Sequence, residues 1–86
     1  MSSDVPTGRR GFLEITECVL KGCRTGVRKT KLMYMANLNW AQLNRYLTFL
    51  LARGFLKYME NKGEYVLTEK GVELLRVLSS LRKLLS

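Results

Sequence analysis

The apolar residues of this chain change their spacing twice, and each change marks a boundary between elements. Phe12, Ile15, Val19 and Leu20 recur at helical intervals, with Glu14, Glu17 and Lys21 on other faces. This predicts a first helix from Gly11 onward, ended by Gly22 and the loop Cys23-Arg24-Thr25-Gly26. A second, short helix is expected from Lys31 to Ala36, with Thr30 as N-cap and Asn37 in the left-handed position that stops it. Leu38-Asn39-Trp40 then opens a third helix with a full set of start signals. Asn39 can cap, Gln42 can reach back as in a capping box, and Leu38 and Leu43 have hydrophobic-staple spacing. Gly54 supplies the stop. A short helix, a tight turn and a longer helix form a helix-turn-helix.

After Gly54 the period becomes alternating. Phe55 to Met59 and Glu64 to Leu67 read as two strands joined by Glu60-Asn-Lys-Gly63, where Gly63 can take the positive φ of a hairpin loop. Thr68 caps a last helix running from Glu69 to about Ser86. The expected class is α+β, mainly α, in the order ααα-ββ-α: a winged helix-turn-helix. Its divisions are a flexible basic arm at 1–10, a winged domain at 11–68 and a dimerisation helix at 69–86.

On a wheel of 100° per residue, Trp40, Leu43, Leu47, Leu50 and Leu51 of the third helix share one side, the predicted core face. Ala41, Gln42, Arg45, Thr48, Phe49 and Ala52 share the other, flanked by Asn44 and Arg53. Phe49 fits this outer face poorly. It either touches a thymine methyl, packs against a partner subunit, or shows that the helix is rotated slightly from this phase.

Charge gives the outer face its meaning. The 86 residues carry fifteen Lys and Arg against seven acids, a net charge of +8. The acids are confined to the ends: Asp4, Glu14 and Glu17, then Glu60, Glu64, Glu69 and Glu73. Lys21, Arg24, Arg28, Lys29, Lys31, Arg45, Arg53 and Lys57 fill the acid-free stretch between Glu17 and Glu60. A solvated surface interleaves signs, whereas a long stretch of one sign is the footprint of a polyanion. No apolar run approaches the ~20 residues of a membrane helix, and the N-terminus lacks the apolar centre of a signal peptide. These features suggest a cytoplasmic, nucleoid-associated location. With no His and two cysteines, neither a metal site nor a cofactor is expected. Cys18 and Cys23 lie about 140° apart on a helix, which rules out a local disulfide and leaves buried free thiols. No constellation for catalysis is present, so an enzyme is not expected.

In a helix-turn-helix protein the second helix of the motif enters the major groove. Arg45 can read guanine and Gln42 adenine, with small Ala41 and Thr48 beside them as further base contacts. Arg28, Lys29, Thr30 and Lys31 cluster at the free N–H groups of the second helix, a site for phosphate. Asn39 and Asn44 on the third helix, with Lys57, Asn61 and Lys62 on the wing, complete the expected phosphate contacts, which set register and affinity without specificity. Arg9 and Arg10 could add an arm. In the last helix Leu74, Leu78, Leu81 and Leu85 recur at spacings of four, three and four, a coiled-coil seam. Val72, Leu75, Val77 and Leu84 widen its apolar surface, so it either packs across its own domain or pairs with its copy, and pairing is favoured.

Thr30-Lys-Leu-Met-Tyr-Met-Ala-Asn-Leu38, Tyr46-Leu47, Gly54-Phe-Leu56 and Tyr65-Val-Leu-Thr-Glu-Lys-Gly71 together resemble the small basic winged-helix proteins of archaea. The likeness runs from about Gly11 to Ser86. That family includes chromatin proteins and apparent transcriptional regulators. The resemblance implies a winged helix dimerised through its last helix, with Asn39–Arg53 as the recognition element. The expected function is double-stranded DNA binding as a homodimer, sequence-specific or sequence-tolerant, in regulation or chromatin architecture. The expected partners are DNA and a second copy, with no small-molecule ligand. The alternative is a winged-helix module that docks a protein through its last helix.

Overall fold

Four helices and one hairpin carry the chain in the computed structural model, which describes residues 11–86. Arg9 and Arg10, read above as an arm, lie outside the described residues. Helix α1 (Phe12–Gly22) is followed by α2 (Lys29–Ala36) and α3 (Trp40–Ala52). Strands β1 (Leu56–Met59) and β2 (Glu64–Leu67) then form an antiparallel pair, and α4 (Glu69–Leu85) closes the order ααα-ββ-α. This is the winged helix expected from the residue pattern.

Local chemistry explains most boundaries. Asn37 takes φ 54°, ending α2, while the Leu38 N–H reaches back to the Met33 carbonyl. Asn39 and Gln42 form the capping box in full: Asn39 Oδ1 accepts the Gln42 N–H at 2.8 Å, and Gln42 Oε1 accepts the Asn39 N–H at 3.0 Å. Leu38 and Leu43, the expected staple, are both buried. Gly63 turns the hairpin at φ 66°, and Thr68 accepts the Gly71 N–H to start α4. The start of α2 departs from expectation. It begins at Lys29 with Arg28 at the cap position, and no side chain caps it. Thr30 therefore sits inside the first turn. Val27, which pairs with Tyr65 as an isolated bridge, holds the chain extended up to Arg28, and the helix begins directly after it.

The core is built by Val19, Leu20, Cys23, Val27, Leu32, Ala36, Leu38, Leu43, Leu47, Leu50 and Leu56, and is completed by Leu75 and Leu78 of α4. The first half of α4 is thus part of the same hydrophobic unit as the winged region, rather than a separate pairing element. Two sequence expectations are corrected by this packing. Trp40 shares the angular sector of Leu43 and Leu47 but is 48% exposed, because it is the first residue of α3 and overhangs the layer beneath it. Leu78, assigned to a dimer seam, is 6% exposed and turned into its own core. Leu74 is half-buried against that core, while Leu81 and Leu85 face outward.

A polar clasp locks α4 to α1. The Glu17 carboxylate is almost wholly buried, and it accepts three hydrogen bonds from the Arg82 guanidinium and one from Ser79 Oγ, at 2.9 to 3.2 Å, with Lys21 at 3.6 Å. Arg82 foremost, with Ser79 and Lys21, holds this carboxyl below its ordinary value of 4.5 against the burial that would raise it. A depressed folded pKa stabilises above the unfolded value and loses that contribution as pH falls through the folded one. Glu17→Gln is expected to cost about 1–3 kcal/mol at neutral pH, from unpaired donors around a buried site. The difference from wild type should shrink in acid. Urea unfolding at neutral pH and well below 4.5 checks this, and an undiminished gap in acid would refute the assignment.

Candidate nucleic-acid interface

Helix α3 lays one face bare. Leu43, Leu47 and Leu50 point inward, and Ala41, Gln42, Arg45, Thr48, Ala52 and Arg53 are exposed around the other side. The expected base-reading set therefore shares one solvent-facing surface, with Asn44 half-buried at its edge. Within it the two long polar residues are not equally free. The oxygen of Gln42 is held by the Asn39 N–H in the capping box, so only its NH₂ remains to donate. Asn39, expected at phosphate, likewise commits its oxygen to the helix start. Arg45 is exposed and makes no ion pair among the described residues. Its fork geometry suits two parallel acceptors on one base edge.

The start of α2 adjoins this surface. Arg28, Thr30 and Lys31 are exposed, and Lys29 lies with Nζ 4.5 Å from the centre of the Trp40 ring. That contact joins the first turn of α2 to the first turn of α3. Because no side chain caps α2, its leading N–H groups and positive dipole end stay available to an anion. On the hairpin Lys57, Asn61 and Lys62 are exposed, as is Tyr58, whose ring packs 4.9 Å from its cross-strand neighbour Tyr65. The wing is short.

Unpaired cations concentrate on this surface. Among the described residues the ion pairs are Lys21–Glu17, Arg82–Glu17 and Arg76–Glu73. Arg24, Arg28, Lys29, Lys31, Arg45, Arg53, Lys57 and Lys62 make none. The paired cations lie on α1 and α4; of the unpaired ones Lys70 and Lys83 also lie on α4, and the rest gather on the loop before α2, on α2, on α3 with its C-cap, and on the wing. The acid-free stretch of sequence has become a surface of uncompensated positive charge, and the third helix is not hidden beneath other elements.

Phe49 fits the reading in which the helix is rotated slightly from the wheel's phase, since it packs with Tyr46 against the core while Trp40 is exposed. It is half-buried, with its ring edge-to-face to Phe12 of α1 at 5.6 Å and the Arg53 guanidinium 4.6 Å from its ring centre. Phe12 also stacks on Tyr46 at 5.7 Å. A cluster across α1 and α3 accounts for Phe49 without a partner subunit. The start of α1 covers that sector of α3, and nothing in local periodicity announces an interhelical contact of this kind. Trp40 as a surface aromatic was missed for a similar reason. Its position directly after the cap was the available signal, since first-turn residues extend past the layer they pack on. Cys18 and Cys23 are both free; Cys23 is fully buried, and that burial pushes its thiol up to about 12, so it is inert. Cys18 is only half-buried, with Sγ 3.7 Å from the Met35 carbonyl.

Comparison with known proteins agrees with this geometry. The sequence matches the winged helix-turn-helix family over residues 9–86. An uncharacterized protein of Methanocaldococcus jannaschii is 40% identical over 58 residues, which is 67% of this chain and 58% of that protein. A second from the same organism is 33% identical over 84 residues, 96% of this chain and 39% of its own length. The chain thus spans less than two thirds of either relative. The crystal structure of Sso10a-2, a DNA-binding protein from Sulfolobus solfataricus, superposes with a TM-score of 0.81 at 28% identity, covering 87% of this chain and 81% of that one. No helix among the described residues is long and apolar enough to cross a membrane.

Proposed function

The chain belongs to the winged helix-turn-helix family, and on that premise we propose that it binds double-stranded DNA as a homodimer. Helix α3 lies in the major groove with Arg45 on base edges and Ala41, Thr48 and the NH₂ of Gln42 beside it. Arg28, Lys29, Thr30 and Lys31 hold one phosphate strand through the N-terminus of α2. Lys57, Asn61 and Lys62 hold another through the wing. Asn39 and Asn44 serve mainly to position α3, since the first is spent on its cap and the second is half-buried. The role is binding, in regulation or in chromatin architecture, rather than catalysis. The observation that carries this reading is the unpaired cation set on α2, α3 and the wing.

Pairing of copies is assigned to the outer side of α4. Leu81, Leu84 and Leu85 are exposed there, and Leu13 of α1 is exposed across a groove of about 500 Å³. A second α4 laid in this groove would bury an apolar surface that is otherwise wet. A two-fold pair presents two copies of α3 to successive turns of the duplex, roughly 34–36 Å apart.

A salt series on mixed-sequence duplex tests the proposal. Six or more neutralised phosphates predict a slope of about −5 or steeper in log affinity against log salt, so affinity falls about a thousandfold between 50 and 200 mM. A shallow slope with weak binding would leave the surface without its polyanion. Within the same assay, Arg45→Ala should lower discrimination among sequences by about 1–3 kcal/mol at one position. Lys31→Ala should weaken every sequence alike and reduce the slope by about one. Should Arg45→Ala weaken all sequences equally, Arg45 belongs with the phosphate contacts.

A further inference from the structure

The contact between α1 and α3 leaves a groove of about 340 Å³ lined by Phe12, Ile15, Leu38, Tyr46 and Phe49, with Gln42 and Arg45 at its polar side. We propose that this groove binds a small aromatic carboxylate, and that its occupant displaces DNA by taking Arg45. The displacement rests on the DNA reading above; the binding site does not.

The walls select the ligand. Phe12 is 52% exposed although it is the first residue of an amphipathic helix and touches two other rings. Its ring lies nearly parallel to Tyr46, with 24° between planes, and steep to Phe49, at 73°. One more ring entering there can meet both a face and an edge, the two arrangements aromatic pairs favour. The volume falls at the small end of the range for small-molecule sites, which suits one or two fused rings.

The polar side selects the charge. Arg45 is the one charged residue of the lining, Gln42 and Tyr46 are its other polar ones, and no acid lines the groove. A guanidinium beside an apolar wall gains most from a carboxylate, which it can hold through two parallel hydrogen bonds. Gln42 can add its NH₂, the half of the amide left free by the capping box. A phosphate-rich ligand would waste the apolar wall and would find one cation only. The groove between α1 and α4 is lined by Glu14, Glu17 and Arg82, and its arginine is already committed to Glu17, so it offers an anion no free cation and serves as an internal control.

Occupancy and DNA contact exclude one another through Arg45. One guanidinium cannot hold a bound carboxylate in the groove and the acceptors of a base edge together. A ligand that binds the free protein alone therefore raises the apparent dissociation constant for duplex by a factor of one plus the ratio of free ligand concentration to the ligand's own Kd. The device is small enough for a single domain because reader and sensor share a side chain.

The experiment uses 2-naphthoate as probe, followed by NMR on the DNA-free chain. Expected are saturable shifts of the Ile15 and Leu38 methyls and of the Phe12, Tyr46 and Phe49 rings, with the neutral 2-naphthamide about tenfold weaker for want of the charge-assisted bonds. Phe12→Leu, which keeps an apolar side chain but removes one ring wall, should weaken naphthoate about tenfold while leaving duplex affinity within twofold. That unchanged affinity also shows the variant is folded. In a duplex titration, saturating naphthoate should weaken wild-type binding and leave Phe12→Leu much less affected. Shifts at Leu13, Leu81 and Leu85 instead, equal binding of the amide, or no saturation would overturn the site. Saturable groove shifts with unchanged duplex affinity would overturn the displacement. Groove shifts in a protein without salt-dependent duplex binding would keep the site and overturn the DNA reading.

Discussion

Gly71→Ala is expected to lower stability by about 3 kcal/mol, although alanine is ordinarily the better helix residue. Gly71 lies buried in the first turn of α4, and its N–H donates to Thr68 Oγ. A Cβ built there would overlap the Phe55 carbonyl oxygen and stand 2.7 Å from Leu67 Cδ1. The first neighbour is backbone at the entrance to the hairpin, tied further by the Thr68 N–H to the same oxygen. It cannot swing aside. The usual gain of about 1 kcal/mol from replacing a helical glycine is therefore outweighed by forced separation of α4 from the wing. Gly22 offers the contrast, because a Cβ there meets the ends of Leu32 and Met35 side chains, which can move. Against a total of about 4–13 kcal/mol for a chain of this size, the Gly71 loss is large. Thermal midpoints should drop by more than 10 °C, at about 4–8 °C per kcal/mol. A midpoint equal to wild type would show that α4 does not press on the hairpin.

Leu78→Glu should unfold the chain rather than divide a dimer. Leu78 is 6% exposed and lies in the core with Leu75, and its groove already holds Glu14 and Glu17. A carboxylate forced into that position has no cation to spare, since Arg82 is committed to Glu17. The cost is on the order of 4 kcal/mol, the range reached by burying an unpaired charge. Leu85→Glu makes the same chemical change at a residue 76% exposed. It should alter monomer stability by less than about 0.5 kcal/mol while abolishing the pairing proposed for α4. Circular dichroism melting with sedimentation on both variants separates the roles. A Leu78→Glu chain that melts like wild type but sediments as a monomer would return Leu78 to the dimer seam.

These two residues show how far a one-dimensional pattern reaches. The spacing of Leu74, Leu78, Leu81 and Leu85 identifies an apolar stripe on α4, and the stripe exists. Periodicity cannot say which stretch of it meets α1 and which meets solvent, because both need the same residue type. Trp40 makes the same point on α3, where axial position and the slight rotation of the helix decide exposure. Thr30 was misplaced as a cap because the bridge between Val27 and Tyr65, remote in sequence, sets where α2 begins. Phe49 was assigned to a bare face because the contact that half-covers it comes from Phe12, on another helix.

The sequence alone determined what depends on neighbours a few residues apart. The order of helices and strands, the stop at Asn37, the capping box of Asn39 and Gln42, the turn at Gly63 and the cap at Thr68 are all short-range hydrogen-bonding or backbone preferences. It also determined the sign of the central surface, since forty-two positions without an acid cannot fold into a negatively charged face. Only the tertiary structure decided which cations stay unpaired, which half of α4 enters the core, and that an aromatic groove opens beside Arg45. Those outcomes depend on side chains distant in sequence meeting at one place, and packing, not local propensity, chooses the meeting.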